Sequence, residues 1–352
     1  MEEITAIMTR KVNFIYKVMI LTTYMLADTI RNIQNGVKKR KKIHQNAVKK
    51  GNKKQKIKEK IFMKISTEID SAAQLIGEEK AVEYVAKAGF DAWDFSMFAM
   101  CACDRNGKIQ TENSHPLAGP DYLKFARRLK QIGLDNGIVC NQSHAPFPST
   151  LEMQPYLKRA IECTAEAGGK ICIIHPDNNK SAQENAKMYQ KLLPFAKECG
   201  VKIATENMWN WDGAKDQSSF AACATSESFL EHLKLVNDEY FVACLDIGHA
   251  EMRGSGSGAA NMIRALGSHL AALHVHDNDC HYDSHQIPFS MKIDFNEIAA
   301  ELRKIHYTGY ITLEASSYLE SYPRNTEAEK VFMGIKDLSA SARKLADMVE
   351  GN

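Results

Sequence analysis

Eight short apolar segments alternate with amphipathic segments from Lys64 to the end of the chain, and this alternation limits the fold more than any other feature of the sequence. Short apolar runs predict buried strands, and a helical periodicity predicts helices. Glycines follow several predicted helices, at Gly89, Gly168 and Gly200, where a left-handed residue commonly ends a helix. The predicted strands are 64–67, 92–96, 138–142, 171–174, 202–205, 241–245, 270–274 and 310–313.

Eight strand–helix repeats predict a (β/α)₈ TIM barrel, an α/β fold. A doubly wound open sheet is the alternative, but no glycine-rich phosphate-binding turn follows the first predicted strand. We therefore predict two parts, a basic N-terminal extension over residues 1–62 and the barrel over residues 63–352. The active site of such a barrel lies at the C-terminal ends of its strands.

Charge separates the extension from the barrel. Residues 1–60 contain 16 Lys and Arg residues and 4 Asp and Glu residues, whereas residues 61–352 contain 29 and 39. The segment 38–60 has twelve basic residues against the single acid Glu59, so we expect it to be disordered. Such a segment could tether the protein to nucleic acid or to an anionic membrane. We favour an accessory extension, since Met63 directly precedes the first strand.

Two features bear on the cellular compartment. Residues 12–27 are largely apolar but are interrupted by Asn13 and Lys17, which predicts no membrane span. Nine cysteines are scattered without the spacing of a disulfide framework. This pattern is typical of a reducing cytosol, and we expect a cytoplasmic protein.

Ionisable side chains stand at the ends of six consecutive predicted strands, and more follow the seventh strand. In a barrel these ends converge on one axis. Imidazole nitrogen and carboxylate oxygen are the usual ligands of divalent metals, so the sequence predicts a metal centre. The candidate metal or substrate ligands are His144, His175, Glu206, Asp246, His249, His274, His276, Asp283, His285 and Glu314.

The segments that carry these residues resemble the xylose isomerase-like barrel superfamily, which includes sugar phosphate isomerases and epimerases and endonuclease IV. The resemblance covers about residues 63–340 and is specific to the superfamily, but not to one enzyme. The motifs are Glu206-Asn207, Leu-Asp-Ile-Gly-His at 245–249, His-Val-His-Asp-Asn at 274–278, Asp-Ser-His at 283–285 and Thr-Leu-Glu at 312–314.

The ketose 3-epimerase branch binds one divalent ion, and the resemblance implies Glu206, Asp246, His274 and Glu314 as its ligands here. It also implies that Glu206 and Glu314 are catalytic and exchange the substrate's proton. The implied function is a metal-dependent sugar or sugar phosphate isomerase or epimerase, with proton transfer next to a carbonyl through a metal-stabilised enediolate. The ion could be Mn²⁺, Co²⁺, Mg²⁺ or Zn²⁺. Whether His274 or His276 is the ligand from the seventh strand stays open.

Endonuclease IV enzymes bind three zinc ions through nine ligands, and the resemblance offers a candidate here for each. This alternative implies a zinc-dependent abasic-site phosphodiesterase. The barrel region has ten more acids than bases, whereas phosphate contacts make a DNA-binding surface basic. We therefore favour sugar isomerisation and expect no specific nucleic-acid partner; a metal-binding barrel without catalysis is a third interpretation. The nine candidates are His144, His175, Glu206, Asp246, His249, His274, Asp283, His285 and Glu314.

Residues in the loops after the fifth, sixth and seventh strands are candidates for substrate binding. Trp209, Trp211 and Phe289 would form an apolar wall against a sugar ring. Arg253 precedes the glycine-rich run 254–258, where backbone amides could turn toward an anion. We expect a small-molecule sugar as the partner, and the sequence leaves homo-oligomer formation open.

Overall fold

The computed structural model describes residues 62–101, 109, 113–150 and 152–351. The predicted extension, apart from Phe62, lies outside the described residues, so its boundary and its disorder stay predictions. The chain from Phe62 onward forms one structural unit. Every helix in the described ranges is too short or too polar to span a bilayer.

Eight parallel strands form the predicted barrel, and each lies within two residues of its predicted limits. The strands are β1 (Lys64–Thr67), β2 (Ala92–Ser96), β3 (Val139–His144), β4 (Ile171–Ile173), β5 (Lys202–Glu206), β8 (Phe241–Asp246), β9 (Leu270–His274) and β10 (Tyr310–Leu313). Six of them form a continuous sheet in the order β2-β3-β4-β5-β8-β9, and β1 pairs with β10. Bridges from Glu68 to Asp94 and from Val275 to Leu313 join these two groups and close the barrel.

Helices follow the strands, and a short antiparallel hairpin that the sequence did not predict, β6 (Asn210–Asp212) and β7 (Gln217–Ser219), follows β5. Local signals fix several helix limits. Ser181 begins one helix with a capping box to Glu184, and Gly200 ends it in the left-handed conformation. The helices are α1 (Asp70–Ile76), α2 (Glu78–Lys87), α3 (Tyr122–Asp135), α4 (Gln154–Ala167), α5 (Ala182–Cys199), α6 (Ser226–Val236), α7 (Ile247–Glu251), α8 (Ala259–Leu266), α9 (Phe295–Lys304), α10 (Ser316–Glu320) and α11 (Ala328–Glu350).

Half of the barrel interior is apolar. Side chains on a strand alternate between the interior and the surrounding helices, so every second residue points to the barrel axis. Below the ends of β5, β8 and β9, these positions hold Ala204, Cys244 and Ala272, which are buried together with Ile173 from β4. These buried, uncharged side chains form a layer under the ends of the strands, which we call the apolar floor.

The other half of the interior is polar. Ser66 Oγ donates to Asn141 Oδ1 at 2.6 Å, and Asn141 Nδ2 donates to Thr312 Oγ1 at 3.1 Å. Because β1 and β10 are not neighbours of β3, these bonds cross the interior. A bulge in the β2–β3 ladder adds one residue to β3, which brings Gln142 as well as Asn141 inside.

We predict that a protein beginning at Met63 unfolds at the same temperature as the full chain. The described contacts tie its first strand to α11: the Met63 amide donates to Glu350 Oε1 at 2.6 Å, and Arg343 Nη1 donates to the Met63 carbonyl at 2.8 Å. Thermal unfolding followed by circular dichroism tests this. A protein beginning at Thr67, which lacks most of β1, is the control and should not fold. If the Met63 protein unfolds more than about 5 °C below the full chain, the extension has a structural role.

Candidate metal centre

The inward-facing strand ends bring the predicted ligands together at the C-terminal face of the barrel. Glu206, Asp246 and His274 are the last residues of β5, β8 and β9, two positions after the small residues of the apolar floor. Glu314 directly follows β10. Glu206 and Asp246 are fully buried and His274 is 1% exposed, so these ionisable groups have little access to water.

The first cluster contains the four ligands implied for a one-metal enzyme. His274 Nδ1 lies 3.2 Å from Glu206 Oε1 and 3.3 Å from Glu314 Oε2. One donor atom from each of Glu206, Asp246, His274 and Glu314 lies within 4.8 Å of all the others. Ligand bonds of about 2.1 Å around one ion place donor atoms at such separations. The cluster therefore has the dimensions of a metal site.

A second cluster shares Glu206 with the first. His144 Nε2 lies 2.8 Å from His175 Nε2, and these atoms lie 3.6 and 3.3 Å from Glu206 Oε2. His144 Nδ1 donates to the Ala145 carbonyl at 3.0 Å, which leaves its Nε2 lone pair facing His175. Glu206 thus presents Oε1 to His274 and Oε2 to the two histidines, the arrangement of a bridging carboxylate.

The third cluster lies above β8 and β9, with His249 on the short helix α7 and with Asp283 and His285 in the loop after β9. Asp283 Oδ2 is 3.3 Å from His249 Nε2 and 3.1 Å from His285 Nε2. His249 Nδ1 donates to the Asn207 carbonyl at 2.9 Å, and His285 Nδ1 donates to the Glu314 carbonyl at 2.7 Å. These bonds place the Nδ1 protons outward and turn both Nε2 lone pairs toward the centre, as in many metal-binding histidines.

His276 lies between the first and third clusters. Its Nε2 is 3.1 Å from Asp246 Oδ1 and 3.5 Å from Asp283 Oδ1. His274 and His276 both face the centre because they are two residues apart on one extended segment. The geometry groups His274 with the one-metal quartet and His276 with His249, Asp283 and His285. The choice of His274 as the ligand from this strand remains our proposal.

Several buried polar atoms in the centre have no hydrogen-bond partner. Unpaired buried acceptors are costly and therefore rare in folded proteins. A divalent cation would satisfy carboxylate oxygens and imidazole nitrogens at once, so this donor set fits one or more such ions. The unpaired atoms are Glu206 Oε2, Asp246 Oδ2, Asp283 Oδ1, His276 Nδ1 and His276 Nε2.

Opposite charges compensate each other across the centre. Burial by itself would raise the pKa of Glu206, but His274, His144 and His175 hold that pKa well below its usual range. Burial would lower the pKa of His285, but Asp283 raises it to about 10. His285 can thus carry a proton when no ion is bound, and an ion that binds its Nε2 must displace that proton.

A cavity of about 500 Å³ opens directly above the three clusters. Trp209, one of the predicted substrate-binding residues, lines it and donates from Nε1 to Asp283 Oδ2 at 3.1 Å. Phe147 also lines the cavity and stacks on His175 at a ring distance of 5.3 Å. Among the described residues that line this cavity, none is Lys or Arg.

The structure places the other three predicted substrate-binding residues away from this cavity. Trp211 stacks on Tyr282 and is 39% exposed. Arg253 points to His281, with Nη2 3.3 Å from Nδ1. Phe289 is partly buried and packs against the hydrophobic core. Loop residues that follow neighbouring strands can point in different directions, and the sequence carried no signal to separate them.

The lining also includes residues that the sequence analysis did not single out. Phe98 and Phe147 follow β2 and β3, and Asn178 and Asn210 follow β4 and β5. The only signal available for them was their position in loops after barrel strands, which they share with many residues of no function. Their aromatic faces and amide groups suit a polar ligand with apolar edges.

The glycine of the Leu-Asp-Ile-Gly-His motif has a steric role. A Cβ atom at Gly248 would lie 1.9 Å from His276 Cε1, far inside van der Waals contact. Asp246 begins the short helix α7 by accepting from the His249 amide at 2.7 Å, which brings Gly248 against the His276 ring. The absence of a side chain at Gly248 therefore lets His276 occupy the centre.

We predict that Gly248→Ala displaces His276 and weakens the binding of Zn²⁺ or Mn²⁺ by about tenfold or more. The clash should also lower the free energy of unfolding by about 1–3 kcal/mol. Titration calorimetry and denaturant unfolding measure the two effects. Gly213→Ala is the matched control, because its Cβ would meet nothing closer than 4.0 Å. Unchanged metal affinity in Gly248→Ala would show that His276 does not contribute to metal binding.

The chain belongs to the xylose isomerase-like TIM-barrel family, whose model matches residues 82–338. Among its relatives, the uncharacterized protein MJ1311 of Methanocaldococcus jannaschii is 25% identical over 253 residues, which cover 66% of this chain and 78% of that protein. A second relative from the same organism, the uncharacterized protein MJ1614, is 25% identical over 236 residues, or 61% of this chain and 80% of that protein. The superfamily expected from the motifs is thereby confirmed.

Solved structures of sugar epimerases share the barrel. A D-tagatose 3-epimerase-like protein is 22% identical with a TM-score of 0.58, covering 82% of this chain and 97% of that one. D-psicose 3-epimerase, solved in the presence of D-fructose, is 15% identical with a TM-score of 0.59, covering 81% of this chain and 99% of that one. At these identities the likeness concerns the fold.

Proposed function

We propose that this protein is a divalent-metal-dependent sugar isomerase or epimerase that moves a proton next to a carbonyl group. The observation that carries the proposal is the placement of Glu206 and Glu314, whose carboxylates lie 3.2 and 3.3 Å from His274 Nδ1 and which both line the cavity. Two carboxylates on one bound substrate can serve as base and acid. The similar structures of ketose 3-epimerases support this choice.

In this proposal Glu206, Asp246, His274 and Glu314 hold the ion. A divalent ion bound there would supply Lewis-acid stabilisation for negative charge that develops on the substrate oxygens. One glutamate takes the proton from the substrate carbon, and the other returns a proton to it. Phe147 and Trp209 cover parts of the cavity with apolar surface, which limits the access of water to the reacting carbon.

The cavity lining favours a sugar without a phosphate group. Its polar groups include the side chains of Asn178, Asn210, Ser149 and Ser316, which can exchange hydrogen bonds with hydroxyl groups. Proteins usually bind phosphate through Arg, Lys or clustered backbone amides. The lining within the described ranges contains neither of these cations, and Arg253 lies elsewhere.

A phosphodiesterase of the endonuclease IV type is the second candidate, and one observation favours it. All nine candidate ligands converge on the same face in three clusters, two of which share Glu206. Three ions would fit such an arrangement better than one. The described residues of the cavity lining include no Lys or Arg, and the barrel region is acidic in composition. Both observations weigh against a DNA substrate.

We predict that Glu206→Gln and Glu314→Gln each reduce proton exchange at the substrate carbon by at least about 100-fold. Glutamine keeps the size of the side chain but removes its charge and its basicity. Solvent deuterium incorporation into a ketose measures the exchange, and metal content is measured in parallel. Glu251→Gln is the control, because that carboxylate accepts from the Ala259 amide outside the cavity. Exchange that survives at full metal content would remove that glutamate from the mechanism.

We also predict that the full chain with Mn²⁺, Co²⁺ or Mg²⁺ converts at least one free ketose into its epimer or its aldose. With Zn²⁺, the same protein should not cut a duplex at an abasic site, and any DNA binding should be equally strong for an intact duplex. Sugar products are measured by chromatography, and strand cleavage is measured on a denaturing gel. Lesion-specific cleavage without sugar conversion would establish the second candidate and reject the first.

A further inference from the structure

Asp94 is a buried carboxylate that the proposed mechanism does not use. It lies on β2 and is 1% exposed. Its neighbours Trp93 and Phe95 are buried in the core outside the barrel, so alternation directs Asp94 to the interior. A buried carboxylate needs a compensating partner. The identity of that partner indicates the role of Asp94.

The ionisable partner of Asp94 is His274, one of the proposed metal ligands. His274 Nε2 lies 3.4 Å from Asp94 Oδ2, and both side chains are 1% exposed. The same oxygen accepts from Gln142 Nε2 at 2.8 Å. Gln142 is itself held, because Nε2 also donates to the Leu273 carbonyl at 3.3 Å and Oε1 accepts from Thr312 Oγ1 at 3.3 Å. The polar half of the interior thus fixes the carboxylate against His274.

The two nitrogens of His274 have different surroundings. Nε2 faces Asp94, whereas Nδ1 faces Glu206 and Glu314 at 3.2 and 3.3 Å. An ionised carboxylate only accepts hydrogen bonds, so Asp94 holds the ring proton on Nε2. The lone pair of Nδ1 is then free for an ion between the two glutamates.

His274 is oriented differently from three other histidines of the centre. His144, His249 and His285 each donate from Nδ1 to a backbone carbonyl and present Nε2 inward. His274 presents Nδ1, so its proton must lie on Nε2, which points across the barrel. No backbone carbonyl accepts from His274 Nε2 among the hydrogen bonds of the described residues, and the Asp94 side chain takes that place.

We infer that Asp94 is a positioning residue that fixes the tautomer and the orientation of His274, so that Nδ1 binds the ion. Carboxylates in this position orient metal-bound histidines and raise their basicity, and their loss typically weakens metal binding by about 10- to 100-fold. The inference rests on the metal centre of the proposed function and does not depend on which reaction the centre performs.

The alternative is a purely structural role, in which Asp94 serves only to accept the hydrogen bond from Gln142. Asp94→Asn separates the two roles, since asparagine keeps the size and its oxygen can take the place of Oδ2 and still accept from Gln142. The asparagine carries no negative charge, so it holds the proton on His274 Nε2 less firmly and makes Nδ1 a weaker ligand for the ion. Thr312→Val is the matched control, because Thr312 donates to Gln142 but does not contact His274.

The experiment measures Zn²⁺ and Mn²⁺ affinity of the full chain by titration calorimetry, with thermal unfolding of the metal-free proteins in parallel. We expect Asp94→Asn to bind about 10- to 100-fold more weakly, with the metal-free unfolding temperature little changed. Thr312→Val should bind within about threefold of the wild type. Wild-type affinity in Asp94→Asn, or an equal loss in both variants, would overturn the inference.

A second measurement uses the wild-type chain and applies even if Asp94→Asn does not fold. In protein with ¹⁵N-labelled histidine and bound ¹¹³Cd²⁺, we expect His274 Nδ1 to couple to cadmium and Nε2 to carry the proton. Coupling through Nε2, or no uptake of the ion, would overturn the inference. Uptake with the expected coupling but without turnover of any ketose would reject only the proposed reaction.

Discussion

The compensation of buried carboxylates is the interaction on which this structure depends. Glu206 and Asp246 are fully buried at the ends of β5 and β8, above a floor of small apolar side chains. Ionised carboxylates in such a place must be paired or must bind a cation. The histidines around them provide part of this compensation, and the unpaired oxygens of both carboxylates leave room for metal ions.

Much of the surrounding structure keeps these groups in place. Gly248 leaves space for His276, and the Asn207 side chain accepts from the Asp246 amide and donates to its carbonyl, both at 2.8 Å. Backbone carbonyls orient three imidazoles, and a side chain orients His274. Because the parts share ligands, the clusters are coupled, and a change at Glu206 should affect two of them at once. The number of ions bound is therefore a property of the whole centre.

The barrel and most of the centre could be predicted because both follow from alternation along strands. Side chains at every second position of a barrel strand face the barrel axis. Glu206, Asp246 and His274 each stand at the end of a predicted strand, so the sequence alone predicts that they converge at this axis. The same rule applied to β2 would have identified Asp94 as an interior carboxylate. The segment Ala92–Ser96 was instead interpreted only as a buried strand.

The loops could not be predicted in the same way. Trp209 and Trp211 are two residues apart in one loop, yet the first lines the cavity and the second stacks on Tyr282. Trp211 lies in the hairpin β6–β7, whose strands are three residues long each, too short for a periodic signal. Arg253 and Phe289 were predicted from residue type alone. Contacts with residues distant in sequence determine the direction in which each side chain points.

The metal content of the purified full chain tests the central claim most directly. The protein is saturated with Mn²⁺ or Zn²⁺, dialysed against metal-free buffer and analysed by mass spectrometry, beside Glu206→Ala. Our account predicts at least one ion for each wild-type chain and a clear loss in the variant, since Glu206 contributes to two clusters. Wild-type protein that retains no ion, or a variant that retains as many ions as the wild type, would contradict it.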